Sequence, residues 1–189
     1  MLKHLRPAFS LVILMTLVTG VAYPFAMTGV AKVAAPAKAE GSLIAKDGQI
    51  VGSTLIGQNF SSDRYFWPRP SATSPNPYDP TGSGGSNLGP TAAKLKDRVA
   101  GDVDKLKKTG VATPIPADAV TASGSGLDPD ITPQNALMQV GRVAQARGLD
   151  VGKVADLVNA HVEKRLFGFI GEPHVNVLEL NMALDALKS

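Results

Sequence analysis

Residues 7 to 31, PAFSLVILMTLVTGVAYPFAMTGVA, run for 25 positions without a charge, with Lys3 and Arg6 before them and Lys32 after. A helix of that length crosses a hydrocarbon core of about 30 Å. Leu11 to Val18 is the most apolar part. Pro24 lies near the far end, where a kink is tolerable, and Tyr23 and Phe25 suit an interface. The pattern predicts one transmembrane helix within residues 1–31, behind a six-residue head. A cleaved signal peptide is the alternative, with Gly20-Val21-Ala22 as a small-x-Ala site. An h-region of about 7–15 residues is shorter than this run, which favours the anchor.

Beyond the run the pattern becomes that of a folded body. Residues 32–41, with Pro36 and Gly41, read as a linker, and 42–189 as one soluble domain. Two strands are expected around an Asp47-Gly48 turn, Leu43 and Ile44 on the first, Ile50, Val51, Leu55 and Ile56 on the second, with Gly52 marking a bulge. The segment from Ser61 to Pro90 is long, irregular and proline-rich. Such segments are functional or disordered. It holds Tyr65, Phe66 and the only tryptophan, Trp67. Phe66 and Trp67 either plug the core or meet a partner.

Four helical periods follow. Pro90 to Lys108 places Leu95, Val99, Val103 and Leu106 on one stripe, with Lys94, Lys96, Asp97, Asp102, Asp104 and Lys105 as a solvated face. Gly110 ends it, and TPIPADAV (113–120) is extended by its prolines. Thr132 and Pro133 form an N-cap and N1 pair for a helix that buries Leu137, Val140, Val143 and Ala144 and stops at Gly148. Asp150 caps the next, with Val154, Leu157, Val158 and His161 on one face. Asn176 and Glu179 are spaced like a capping box for the last. The fold class expected is α+β: the transmembrane helix, then a small antiparallel sheet with about four helices.

Composition narrows the function. Net charge is +3; of the 19 basic residues Lys3 and Arg6 precede the apolar run, so 17 face 16 acidic residues elsewhere. A neutral body lacks the basic footprint of a nucleic-acid binder. Without cysteine there is no disulfide or thiolate metal site. His161 and His174 have no second ligand at helical spacing, so no bound metal is expected. No P-loop and no G-x-S-x-G elbow occur, and no nucleophile–base pair is supported by spacing, so no catalytic residue is assigned. A secreted or anchored hydrolase would have to use Ser83, Ser86, Ser123 or Ser125.

The stretch SGSGLDPDITPQNA, Ser123 to Ala136, raises the question of a phosphate cradle. Thr132 is placed to take an early amide, and Asp128 and Asp130 bring negative charge where a phosphate would sit. Gly124 and Gly126 then serve backbone shape, by positive φ or by close approach to a neighbouring chain. Trp67, Gly124, Gly126 and Asp128 are the candidate partner-docking residues.

Several stretches resemble the C chain of the bacterial potassium-transporting ATPase: GSTLIGQNF, SGGSNLGPT, ASGSGLDPDITPQNALMQVGRVAQARGL and LFGFIGEPHVNVLELNMALD. The likeness runs along nearly the whole chain in order. Pro90, and His174 where a basic residue such as Arg is common, are minor departures. The resemblance implies an accessory, non-catalytic subunit of an ATP-driven potassium uptake complex in the bacterial inner membrane. The partners it implies are a channel-like potassium-translocating subunit, a P-type ATPase subunit and a small fourth membrane subunit, besides the lipid bilayer. It further implies a catalytic chaperone that promotes ATP binding by the ATPase subunit, sharing ATP through a Ser-Gly-Gly motif that falls on Ser83, Gly84, Gly85, Ser86 and Asn87. The aspartate that P-type ATPases phosphorylate is missing, since KKTGVAT has Lys107 in its place. The short head predicts that the soluble domain lies on the periplasmic side, where cytoplasmic ATP does not reach; the nucleotide and topological expectations pull apart.

Overall fold

The computed structural model of the protein describes residues 2–111 and 114–187. The chain forms two compact units, Met1–Val51 and Gly52–Ser189.

In the first unit the apolar run becomes a single long helix, α1, Leu5–Ala34, 30 residues with a mean hydropathy of 1.9 over its most apolar window and none of that window buried. By length and composition it can cross a membrane. At about 1.5 Å per residue it is some 45 Å long. Within it Val18–Ala22 is a π turn. Pro24 explains this: it has no N–H, and its ring crowds the carbonyl four residues back, so a widened turn takes up the mismatch. The hydroxyls of Thr19 and Thr28 donate to the carbonyls of Met15 and Pro24 at 2.7 and 2.8 Å, which satisfies them inside the helix.

The helix does not stop at the uncharged run. The stretch expected as a linker is mostly helical, the end of α1 followed by a short α2, Pro36–Ala39. Its alanines and lysines are strong helix formers. Strands β1, Leu43–Lys46, and β2, Gln49–Ser53, pair around Asp47 and Gly48. Both turn residues have positive φ, 52° and 78°, as a type I′ hairpin requires. The second strand is shorter than expected: Leu55 and Ile56 fall beyond it, and Ile56 only bridges back to Ser53.

In the second unit α3, Ala93–Lys108, buries Leu106 alone. Asp102, expected in solvent, is half-buried. Of the stretch 113–120, Thr113 lies outside the described residues, and Ala117–Ala119 form one 3-10 turn. Strand β3, Asp130–Ile131, runs into α4, Pro133–Arg147, then α5, Val151–Ala160; β4, Val175–Asn176, runs into α6, Val177–Ala186. The expected caps form: Thr132, Asp150 and Asn176 each accept an amide three residues on, and Gly148 takes the left-handed conformation at φ 67°. β3 and β4 are antiparallel, Asp130 opposite Asn176 and Ile131 opposite Val175. The unit is therefore α+β, its core built from Ile131, Val140, Val143, Val154, Val158, Leu180 and Leu184 around Phe66.

Two details of α4 correct the expected stripe. Leu137 is 42% exposed, and Gln139 and Asn135 are buried in its stead. Their amides order the irregular segment. Gln139 accepts from the Trp67 amide (2.7 Å) and donates to its carbonyl (3.1 Å). Asn181 on α6 does the same for Phe66, at 2.8 and 3.0 Å. Two side-chain carboxamides thus replace a strand neighbour for residues 66 and 67, meeting the rule that buried backbone groups be bonded.

Candidate functional site

The structure brings together two stretches that lie far apart in sequence. Ser83–Asn87 runs beside Ser123–Gly126. The Gly84 amide donates to the Ser125 carbonyl at 2.8 Å, and the Ser83 hydroxyl to the same oxygen at 3.2 Å. The Gly126 amide donates to the Ser123 hydroxyl (2.8 Å) and the Leu127 amide to the Ser125 hydroxyl (3.1 Å). The result is a double ridge of serine and glycine.

Glycine is required where the two stretches touch. Gly126 has φ 67°, and a Cβ there would stand 2.7 Å from the Thr73 methyl and 2.9 Å from the Gly84 carbonyl. A Cβ on Gly85 would lie 3.2 Å from the Gly124 carbonyl. For Gly124 the positive-φ alternative does not hold, since its φ is not in the left-handed region, and a Cβ would meet nothing within 4 Å in its own chain. It is exposed and has room within its own fold.

Residues that sequence reasoning missed support the ridge. Ser71 donates to the Gly126 carbonyl at 2.7 Å and accepts the Tyr78 amide at 3.0 Å. The Tyr78 hydroxyl donates to the Arg69 carbonyl at 2.7 Å. Burial, aided by the negative charge of Asp128, lifts the Tyr78 phenol above its ordinary range. No local pattern marks these serine and tyrosine positions, because their partners lie 7, 9 and 55 residues away, beyond the reach of a turn or cap.

Asp128 is not the free negative charge expected in front of a helix. Its carboxylate is paired with Arg69 at 2.7 Å, and its second oxygen accepts the Asp130 amide. The carboxylate at the start of α4 is Asp118, which accepts from the Thr132 amide, the Thr132 hydroxyl and the Asn135 side chain at 2.8 to 3.0 Å. The amides of residues 84, 126 and 127 and the start of α4 are thus committed internally. Among the described residues, the amides of Gly85, Ser86 and Asn87 make no hydrogen bond.

Trp67 lies apart from the ridge-to-ridge contact. Its ring has the Arg142 guanidinium 3.8 Å and the Lys105 ammonium 4.8 Å from its centroid, and it borders a cleft beside α3. Arg142 also donates to the carbonyls of Asp63 and Tyr65; burial pulls its pKa down to about 10.

The candidate serines do not form a nucleophile–base arrangement. Ser83, Ser123 and Ser125 are bonded to backbone or to each other, while the rings of His161 and His174 bond the carbonyls of Leu157 and Glu172. His174 lies within 3.9 Å of both Asp130 and Glu163, and no group of three metal-ligating side chains is found among the described residues.

Comparison with known proteins covers the whole length. The family described as K+-transporting ATPase, c chain, matches residues 5–186. A protein of Allorhizobium ampelinum named potassium-transporting ATPase KdpC subunit is 58% identical over 98% of this chain and 97% of its own. Proteins of the same name from Methylobacterium nodulans and Sorangium cellulosum are 54% and 55% identical, over 99% and 100% of this chain and 98% and 100% of theirs.

Proposed function

The chain belongs to the family of K+-transporting ATPase c chains, and from that membership we propose that it is a membrane-anchored accessory subunit that acts by docking rather than by chemistry. The observation that carries this reading is α1, a helix uncharged from residue 7 to 31 with none of its most apolar window buried, in a chain of this family. Such a surface needs lipid or neighbouring helices around it. The bilayer is the bacterial inner membrane, and the body lies on its periplasmic side, behind a head that carries Lys3 and Arg6. The partners are the potassium-translocating channel-like subunit, the P-type ATPase subunit and a small fourth membrane subunit.

The Ser–Gly ridge is the docking surface, with Ser83–Asn87 and Gly124 facing a partner's backbone. The geometry gives little support to direct nucleotide binding there. Arg69 is already paired with Asp128, and three of the ridge amides are spent on its own carbonyl and hydroxyls. The effect on ATP is therefore exerted by coupling: this chain binds better to the nucleotide-loaded state of the ATPase subunit, so by reciprocity it tightens that subunit's hold on ATP. The test is equilibrium binding of a non-hydrolysable ATP analogue to the membrane complex with and without this chain. Tightening by about fivefold or more is expected. Equal affinity in the two samples sinks the chaperone role while leaving the docking role to be judged by assembly.

A further inference from the structure

A cleft of about 260 Å³ lies between α3 and the segment that carries Trp67. Arg98, Asp102 and Lys105 of α3 line it, and their spacings of 4 and 3 put them on one helical face. Three of the other polar groups that line it are committed. Arg69 pairs with Asp128, and Gln139 and Asn135 bond the Trp67 backbone, each other and Asp118. The α3 groups are not. Arg98 Nε and Asp102 Oδ2 are closed to solvent and have no hydrogen-bond partner, and the contact shown for Lys105 is with the Trp67 ring. Buried polar atoms without partners are rare, and each calls for an explanation.

We propose that this cleft is a receptor for a single carboxylate, held by the Arg98 guanidinium and the Lys105 ammonium. Charge balance selects the ligand. Arg98 and Lys105 face one carboxylate, Asp102, so a second carboxylate brings the sum to zero. A neutral group leaves a positive charge, and a phosphate dianion leaves a negative one. The planar fork of a guanidinium matches a carboxylate with two parallel bonds. The proposal does not rest on the docking ridge and stands or falls separately.

Trp67, the sole tryptophan of the chain, reports on the cleft directly. Full-length protein in lipid nanodiscs is titrated with acetate against chloride at constant ionic strength, following its emission. A saturable change is expected as Lys105 leaves the ring for the carboxylate. Arg98→Gln should weaken the apparent affinity about tenfold or more, with the folded state of the variant checked by its melting transition. Asp102→Asn should tighten it by removing a like charge. Dimethyl phosphate, a monoanion that is not planar, should bind more weakly. No saturable response, the same response in Arg98→Gln, or equal binding of dimethyl phosphate overturns the proposal. With acetate binding established, the source follows from the assembled complex: Arg98→Gln lowers retention of this chain if the carboxylate is a partner's side chain, and leaves it unchanged if it is a free acid.

Discussion

Single side chains divide into those that hold the body together and those left available. Asn181 belongs to the first group. Its amide is 1% exposed and satisfies both backbone groups of Phe66. Asn181→Ala should cost about 2–4 kcal/mol, because it strands a buried donor and acceptor, and this is checked by urea unfolding with an unchanged m-value. Gly126→Val should also destabilise, through its strained φ and the clash with Gly84. His174 sets a pH dependence. A hydrogen bond to Glu172, with Asp130 and Glu163 nearby, raises its pKa against the opposing effect of burial. A folded pKa above the unfolded one contributes stability that is complete below about 6.5 and is lost as pH rises through the higher folded value. Asp130, raised mainly by burial, acts in the same direction at lower pH. The melting temperature should therefore fall between pH 6 and 8, and His174→Gln should flatten that slope. An equal slope in the variant would assign it to other groups.

At the scale of elements, α1 is the part whose role is most exposed to test. Leu14 and Val18 lie near its middle. Arg at both positions places two charges near mid-bilayer at about 2.5–3.5 kcal/mol each. The double variant should be lost from membranes and from the complex, as read by blotting washed membranes; normal recovery would mean that another element anchors the chain. The shorter elements show which features were legible beforehand. The caps Thr132, Asp150, Asn176 and Gly148 were readable because a cap is a contact over three or four residues. The reach of α1 through Ala34 was not, because Lys32 was read as a boundary when the alanines around it favour continuing the helix. Leu137 was assigned to the core by periodicity, but the buried face of α4 runs through Asn135, Ala136, Gln139, Val140, Val143 and Ala144, which turns Leu137 outward; Gln139 holds that face through bonds to Trp67 that span 72 positions.

At the scale of the whole molecule, class and element order were legible and the site was only partly so. Each Ser–Gly stretch stood out by composition, yet nothing local said that they would lie together, since their contact crosses some 40 positions. Asp128 looked like a free charge for the same reason, as Arg69 is 59 residues away. That the ridge faces a partner is tested at Gly124. It is exposed, its φ suits any residue, and an added side chain meets nothing in its own fold. The decisive measurement is recovery of Gly124→Leu with the partner subunits, purified through a tag on the ATPase subunit, alongside the melting temperature of the variant chain. The account predicts wild-type melting with clearly reduced recovery, because the leucine projects where a partner backbone must approach. Full recovery with unaltered potassium-dependent ATPase activity would contradict it.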